Sequence, residues 1–161
     1  APKTILKLSE LMRYLLYETH QKKQSLTKEI ICLQNYLDLE RIRYGNLLNI
    51  NMNISGEIED KEIAPMLLLS FIENAFKHGA NKNVGAVAIH IDFNVIDDFL
   101  YFKVSNPIPS ANNNNEIRSY SGGIGIGNVK KRLELGYQEN EYELTIGNQN
   151  NQYVVELKIK V

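Results

Sequence analysis

Tryptophan is absent from the 161 residues, cysteine appears once and proline four times. The lone Cys32 can neither close an intrachain disulfide nor furnish a thiolate-rich zinc site, so a reducing, intracellular setting is the cheaper expectation. No apolar run approaches the ~20 residues that a spanning helix needs, and no signal peptide is visible. A surplus of either charge is missing too: 18 Lys and Arg stand against 19 Asp and Glu, a formal net charge of -1. A general nucleic-acid binder would be clearly basic, and an acidic disordered tail would lie at the other extreme. What remains is a chain that is 43% apolar, enough to bury the core of one domain with an extra layer of helix. It is expected to be soluble. Its opening on Ala1-Pro2, without methionine, points to a fragment of a longer protein.

Hydrophobic periodicity organises the chain. Residues 4–20 read as a helix, with Ile5, Leu8, Met12, Leu15 and Leu16 at helical spacing. Leu11 and Tyr14 widen that stripe enough to suggest partner contact as well as packing. Thr27 is the expected N-cap of a second helix, with Glu29 in its first turn, which runs to Tyr44 and stops at Gly45. Leu48, Ile50, Met52 and Ile54 alternate as a half-buried strand. Pro65 suits the first turn of a third helix reaching Lys77, and Gly79 suits the position past its end. Residues 87–95 and 100–104 predict two strands joined in a hairpin at Asp97-Asp98. Residues 106–122, rich in Pro, Ser and Asn, make a loop of unusual length. A Gly-rich turn, a helix from about Ile126 to Gly136 and a hairpin pairing 142–146 with 153–161 complete the chain. The class is α+β: two helices, then an α/β sandwich with helices on one face of a mixed sheet.

Two clusters carry chemistry. The first is Phe71-Ile-Glu-Asn-Ala-Phe-Lys-His-Gly79, where Lys77 and His78 follow Asn74 by three and four positions and so share its face. An Asn oxygen suits magnesium, which keeps several waters and takes few protein ligands plus substrate phosphates, and Lys77 and His78 offer donors to phosphates. The alternative is a helix end where the two merely complement the dipole. That alternative does not explain a buried Glu73-Asn74 pair, because unpartnered polar groups there are costly. The second cluster is Ser121-Gly-Gly-Ile-Gly-Ile-Gly-Asn128, leading into a helix. Glycines let backbone amides approach phosphate oxygens at a helix N-terminus. It matches neither a Walker loop nor a dinucleotide fingerprint, and a plain linker is its bland reading.

Residues 67–79, ending Glu-Asn-Ala-Phe-Lys-His-Gly, closely resemble the N box of LytS-type histidine kinases, and Gly123 to Leu133 resembles that family's second glycine box. Leu8-Ser-Glu-Leu-Met-Arg-Tyr-Leu-Leu-Tyr-Glu18 and Tyr36-Leu-Asp-Leu-Glu-Arg-Ile-Arg-Tyr44 resemble the helices that join phosphoacceptor and catalytic domains. The resemblance covers nearly the whole chain. It implies residues 1–46 as the C-terminal part of a dimerisation and linker region, and residues 47–161 as an ATP-binding domain. That domain's fold would be the Bergerat-type sandwich shared by gyrase, heat-shock chaperone, histidine kinase and mismatch-repair ATPases (GHKL).

By position, the resemblance gives Asn74 the magnesium and brings Lys77 and His78 to the phosphates of ATP. It makes Glu73 the candidate base or water-orienting residue. Gly123, Gly125 and Gly127 become lid hinge and amide cradle, Asn128 the cap of the following helix, and Ala111 to Asn115 the disordered part of the lid. Arg132 either reaches phosphate or braces the lid. The family's adenine-reading Asp-Asn-Gly is replaced by Ser105-Asn106-Pro107. The neutral Ser105 is expected to accept more weakly from the adenine amine than an aspartate, with Asn106 taking part of the work, so Ser105→Asp is expected to tighten ATP. The family's phosphoacceptor histidine is not in this chain: His20 reads as a surface residue and His90 as structural. The implied function is transfer of the γ-phosphoryl of Mg-ATP to an upstream histidine, for relay to a response regulator. The full-length protein would be a homodimer, with no direct nucleic-acid contact and membrane contact only through segments outside this chain. This part would be cytoplasmic, in a protein anchored in the bacterial inner membrane. The rival is a pseudokinase or dimerisation module that binds nucleotide weakly or not at all.

Overall fold

A computed structural model describes residues 2–17, 22–78, 86–108 and 124–161. Helix α1 (Pro2–Tyr17) starts on a proline, whose fixed φ and missing N–H suit a first turn. It packs on α2 (Leu26–Tyr44) through Leu11 and Tyr14, flanked by a Lys7–Asp38 ion pair and an Asn35–Glu10 hydrogen bond of 3.2 Å. The stripe singled out by periodicity is therefore not the buried one, because Ile5, Leu8 and Met12 stay exposed.

Between the helices lies β1 (Gln24–Ser25), paired antiparallel with β3 (Glu62–Ile63). Two residues are too few to show a hydrophobic period, so neither strand is legible in the sequence. The extended backbone of β1 moves the start of α2 upstream. The N-cap is Ser25, whose side chain accepts from the Lys28 N–H at 3.4 Å, and Thr27 falls inside the helix. Gly45, at φ 60°, ends it as expected.

The main sheet runs β2 (Leu48–Gly56), β4 (Val87–Ile96), β5 (Phe99–Pro107), β7 (Gln152–Lys160), β6 (Tyr142–Gln149). β2 is parallel to β4 and the other pairs are antiparallel, so the sheet is mixed. Gly56 is required where β2 ends: it sits at φ 85°, and a Cβ there would meet the Val95 carbonyl oxygen at 2.0 Å. The final turn is tighter than expected. Asn150 and Asn151 both adopt positive φ, the two-residue geometry that matches strand twist, so β6 and β7 run on to Gln149 and from Gln152.

Side chains alternate across each strand. Ile89, Ile91 and Phe93 of β4, Leu100, Phe102 and Val104 of β5 and Val155, Leu157 and Ile159 of β7 all face the helical layer and are buried. Helix α3 (Leu67–His78) lies on that face, with Phe71 and Phe102 rings 6.2 Å apart. Helix α4 (Ile124–Gly136) adds Ile126, Val129 and Leu133 to the same core. One core runs from Leu11 of α1 through Leu33 and Leu37 of α2 to Ile159 of β7.

A single carboxylate ties these layers together. Glu29 is 0% exposed. Its Oε2 accepts from the Tyr14 hydroxyl of α1 and, at 3.1 Å, from the Met66 N–H at the entry to α3. Its Oε1 is buried without a hydrogen-bond donor, and through Oε2 α2 supplies the cap at the entry to α3. The Arg132 guanidinium of α4 donates to the Pro65 carbonyl next door. Burial holds the Glu29 carboxyl above its ordinary 4.5, against the opposing pull of Tyr14, the Met66 amide and Arg132.

Glu29→Ala strands these donors in the core and should lower unfolding stability by about 2–4 kcal/mol, read from denaturant melts. A pH series checks the charge. Because the folded pKa is raised, the folded chain binds the extra proton above pH 4.5. The stability from this group is full below that value and is lost as pH rises through the raised one. The stability of the wild type relative to Glu29→Gln should therefore fall steadily above pH 4.5.

Candidate functional site

Helix α3 turns its residues about 100° apart, and this separates Glu73 from Asn74. Glu73 is exposed on the polar rim with Lys77, whereas Asn74 is turned into the protein and buried. The expected buried Glu73-Asn74 pair is thus a single buried Asn beside an exposed Glu. The backbone of His78 ends α3, but its side chain, like Gly79, lies outside the described residues.

Asn74 Nδ2 donates to the hydroxyl of Tyr153 on β7 at 3.0 Å. No other hydrogen bond of Asn74 occurs among the described residues. Tyr153 stands directly opposite Asn106 in the β5–β7 register. Asn106 is 1% exposed. Its Nδ2 donates to the Pro107 carbonyl at 3.2 Å, while its Oδ1 is buried without a donor. An orphaned acceptor of this kind is costly in a folded interior, and a ligand amine would satisfy it. Ser105 is one residue earlier and so faces the other way. Its cross-strand neighbours are Val154 and the exposed His90 on the outer face of the sheet. Strand alternation therefore separates Ser105 from Asn74 and corrects the expectation that it meets a base in the same pocket.

The α2 side of α3 is aromatic and acidic. Tyr36 and Tyr44 each place a ring centroid 5.9 Å from that of Phe76, and Glu40 lies between them in sequence. The Glu73 carboxyl is pushed up by burial first and by Glu40 second, with Lys77 pulling it back. Glu40 Oε2 is itself buried without a hydrogen-bond donor.

At α4, Gly125 and Gly127 occupy the opening turns, where amides lack intrahelical partners. A Cβ at either would meet nothing within 4 Å among the described residues, so packing against these does not explain the glycines. Asn128 lies inside the helix, which begins at Ile124 rather than near Ile126, and so cannot be its N-cap. Arg132 braces the entry of α3 through Pro65. Gly123, the 111–115 stretch and His20 lie outside the described residues. Tyr153, Glu29 and Glu40 were not singled out from sequence. Tyr153 is one more alternating aromatic in a strand, and Glu29 looked like an ordinary first-turn acid.

No group of three His, Cys, Asp or Glu able to hold a metal occurs among the described residues. A cation here would rest on Asn74, water and ligand oxygens, the economy that suits magnesium.

The family model for histidine kinases matches residues 1–48. The sensor histidine kinase/phosphatase LytS of Staphylococcus aureus is 34% identical over 99 residues, 61% of this chain and 16% of LytS. The resemblance to histidine kinases is borne out. Among solved structures, the catalytic domain of histidine kinase ThkA aligns with a TM-score of 0.57 at 14% identity, covering 86% of this chain and 93% of that one. Histidine kinase AdeS of Acinetobacter baumannii gives 0.59 at 12% identity, covering 97% and 76%. ThkA in complex with the response regulator TrrA aligns with a TM-score of 0.54. The fold, a five-stranded mixed sheet with helices on one face, is that of histidine kinase catalytic domains. The chain spans only a small part of LytS, and no helix among the described residues is long and apolar enough to cross a membrane.

Since no described residue lies within 4 Å of a Cβ at Gly127, Gly127→Ala should raise stability by about 0.5–1 kcal/mol through helix propensity. A fall in melting temperature would reveal a packing demand instead.

Proposed function

We propose that this chain is the ATP-binding catalytic portion of a sensor histidine kinase, with residues 47–161 binding Mg-ATP and residues 1–46 ending a helical dimerisation region. The observation that carries this reading is the buried, donor-less Oδ1 of Asn106 on the same face as Asn74. In it, Asn106 accepts from the exocyclic amine of adenine. Asn74 contributes its amide oxygen to magnesium, which neutralises phosphate charge when bound. Lys77, exposed near the end of α3, and His78 supply donors to the phosphates, and the amides of Gly125 and Gly127 meet phosphate oxygens. Glu73, whose carboxyl is held up by its surroundings, is the candidate base. It would take the proton that leaves an acceptor histidine as its other ring nitrogen bonds the γ-phosphorus and the bond to ADP breaks.

The acceptor histidine would lie N-terminal to this chain, and the phosphoryl group would pass to a response-regulator aspartate. The capture of TrrA by ThkA, a protein of the same fold, supports that partner class. The exposed Ile5, Leu8 and Met12 of α1 form an apolar face suited to the second subunit of a homodimer. A cytoplasmic position beneath a membrane-anchored sensor fits the same reading.

Base selectivity tests it. Pro107 holds the Asn106 Nδ2, so the amide cannot turn to donate without losing that bond. Guanine presents a carbonyl where adenine presents an amine, and two acceptors would then face each other. Calorimetric titration should show ATP bound more tightly than GTP. Asn106→Ala should weaken ATP about five- to tenfold and narrow the gap, while Ser105→Asp should leave the ratio unchanged. A widened ATP preference in the Ser105 variant would return the reading role to that position.

A further inference from the structure

Three consecutive residues lead into α3, and a backbone group of each is gripped by a side chain from another element. The Ala64 N–H donates to the Tyr137 hydroxyl at 2.8 Å. The Pro65 carbonyl accepts from Arg132 of α4, and the Met66 N–H donates to Glu29 of α2 at 3.1 Å. Tyr137 continues α4, its own N–H bonded to the Leu133 carbonyl at 2.9 Å, so the first two grips belong to one helix. The third depends on α1, because the Tyr14 hydroxyl donates to the same oxygen of Glu29.

Met66 is also strained. Its φ is 61°, whereas the residue before a helix ordinarily has an extended backbone. A residue other than glycine keeps such a conformation only while its surroundings enforce it. Pro65 cannot share the adjustment, since its ring fixes its own φ and keeps Ala64 extended. The Met66 carbonyl is anchored within α3, where it accepts from the Ser70 N–H at 3.3 Å and the Ser70 hydroxyl at 3.0 Å. A turn about the Met66 N–Cα bond would therefore shift Ala64 and Pro65, the groups that α4 holds, against a fixed α3.

We propose that residues 64–66 are a strained clasp by which α1 controls the seating of α4. The Tyr14 hydroxyl, acting through Glu29, keeps Met66 left-handed. Withdrawal of α1 lets Met66 turn, slackens the Arg132 and Tyr137 bonds and loosens the helix that carries Gly125 and Gly127. Coupling between distant elements needs a part with two arrangements, and a held or a relaxed Met66 supplies them. The clasp stands on these bonds alone, whatever ligand the glycines of α4 meet.

Melting temperatures read the strain. Glycine is ordinarily less stable than alanine, but at φ 61° it carries no penalty. Met66→Gly should melt about 2–4 °C above Met66→Ala, and the reverse order overturns the proposal. Hydrogen exchange reads the coupling. Tyr14→Phe keeps the ring in the core and leaves no cavity. In it, the α4 amides from Val129 to Leu133 should exchange about fivefold faster relative to the β5 amides from Phe102 to Val104. In the Met66→Gly background, which stores no strain, the same change should move that ratio by less than about twofold. A ratio unchanged by Tyr14→Phe overturns the proposal, because a rise shared with β5 is only a loss of global stability. An equal shift in both backgrounds also overturns it, and would mark the Tyr14 hydroxyl as ordinary packing.

Discussion

A carboxylate removed from water must find donors or a proton, and in this protein that requirement fixes how four helices meet. Glu29 meets it through Oε2, with a tyrosine hydroxyl from α1 and the Met66 amide at the entry to α3, and by a carboxyl held toward its protonated form, while Arg132 of α4 grips the neighbouring Pro65 carbonyl. Hydrophobic burial alone would let the helices slide along one another, since it is non-directional. Hydrogen bonds to a fully buried acceptor do not allow sliding. The angle and depth at which α3 enters the core are therefore set by a residue of α2. The position of Asn74, about two turns further along α3, follows from that entry point.

The floor of the candidate site repeats the principle on a smaller scale. Asn74, Tyr153 and Asn106 are polar side chains embedded among Phe, Val and Leu, and each has one bonding direction satisfied within the protein. Two amide oxygens remain, one suited to a hard cation and one to an amine, with a pair of unshielded glycines at the mouth of α4.

Most of the fold was legible because its elements are long enough to show a period. The alternation of β4 and β5 and the apolar run of α3 each span several repeats, and Gly45 ended α2 where its φ demanded. The two-residue strands β1 and β3 were not legible, and their extension shifted the α2 cap from Thr27 to Ser25. The site was half legible. Asn74 and the glycines stood out by type and spacing. A letter-by-letter match of the motif sets Ser105 at the base-reading position, whereas a strand presents only alternate residues to one face, and here that puts Asn106 beside Tyr153. Tyr153 and Glu40 reach the site from distant parts of the chain, and a single sequence holds no signal of such proximity.

The continuous core has a consequence for where this protein can be divided. Leu26, Ile30, Leu33 and Leu37 of α2 belong to the same buried cluster as the inner face of the sheet, and Tyr36 and Tyr44 cover Phe76 beside Asn74. A boundary drawn near residue 46 is thus a change of motif without a gap in packing. A shorter protein beginning at residue 47 would uncover Phe76 and strip α3 of its cap in one cut. The second helix is in effect a wall of the sheet domain, and whatever moves it would move Asn74.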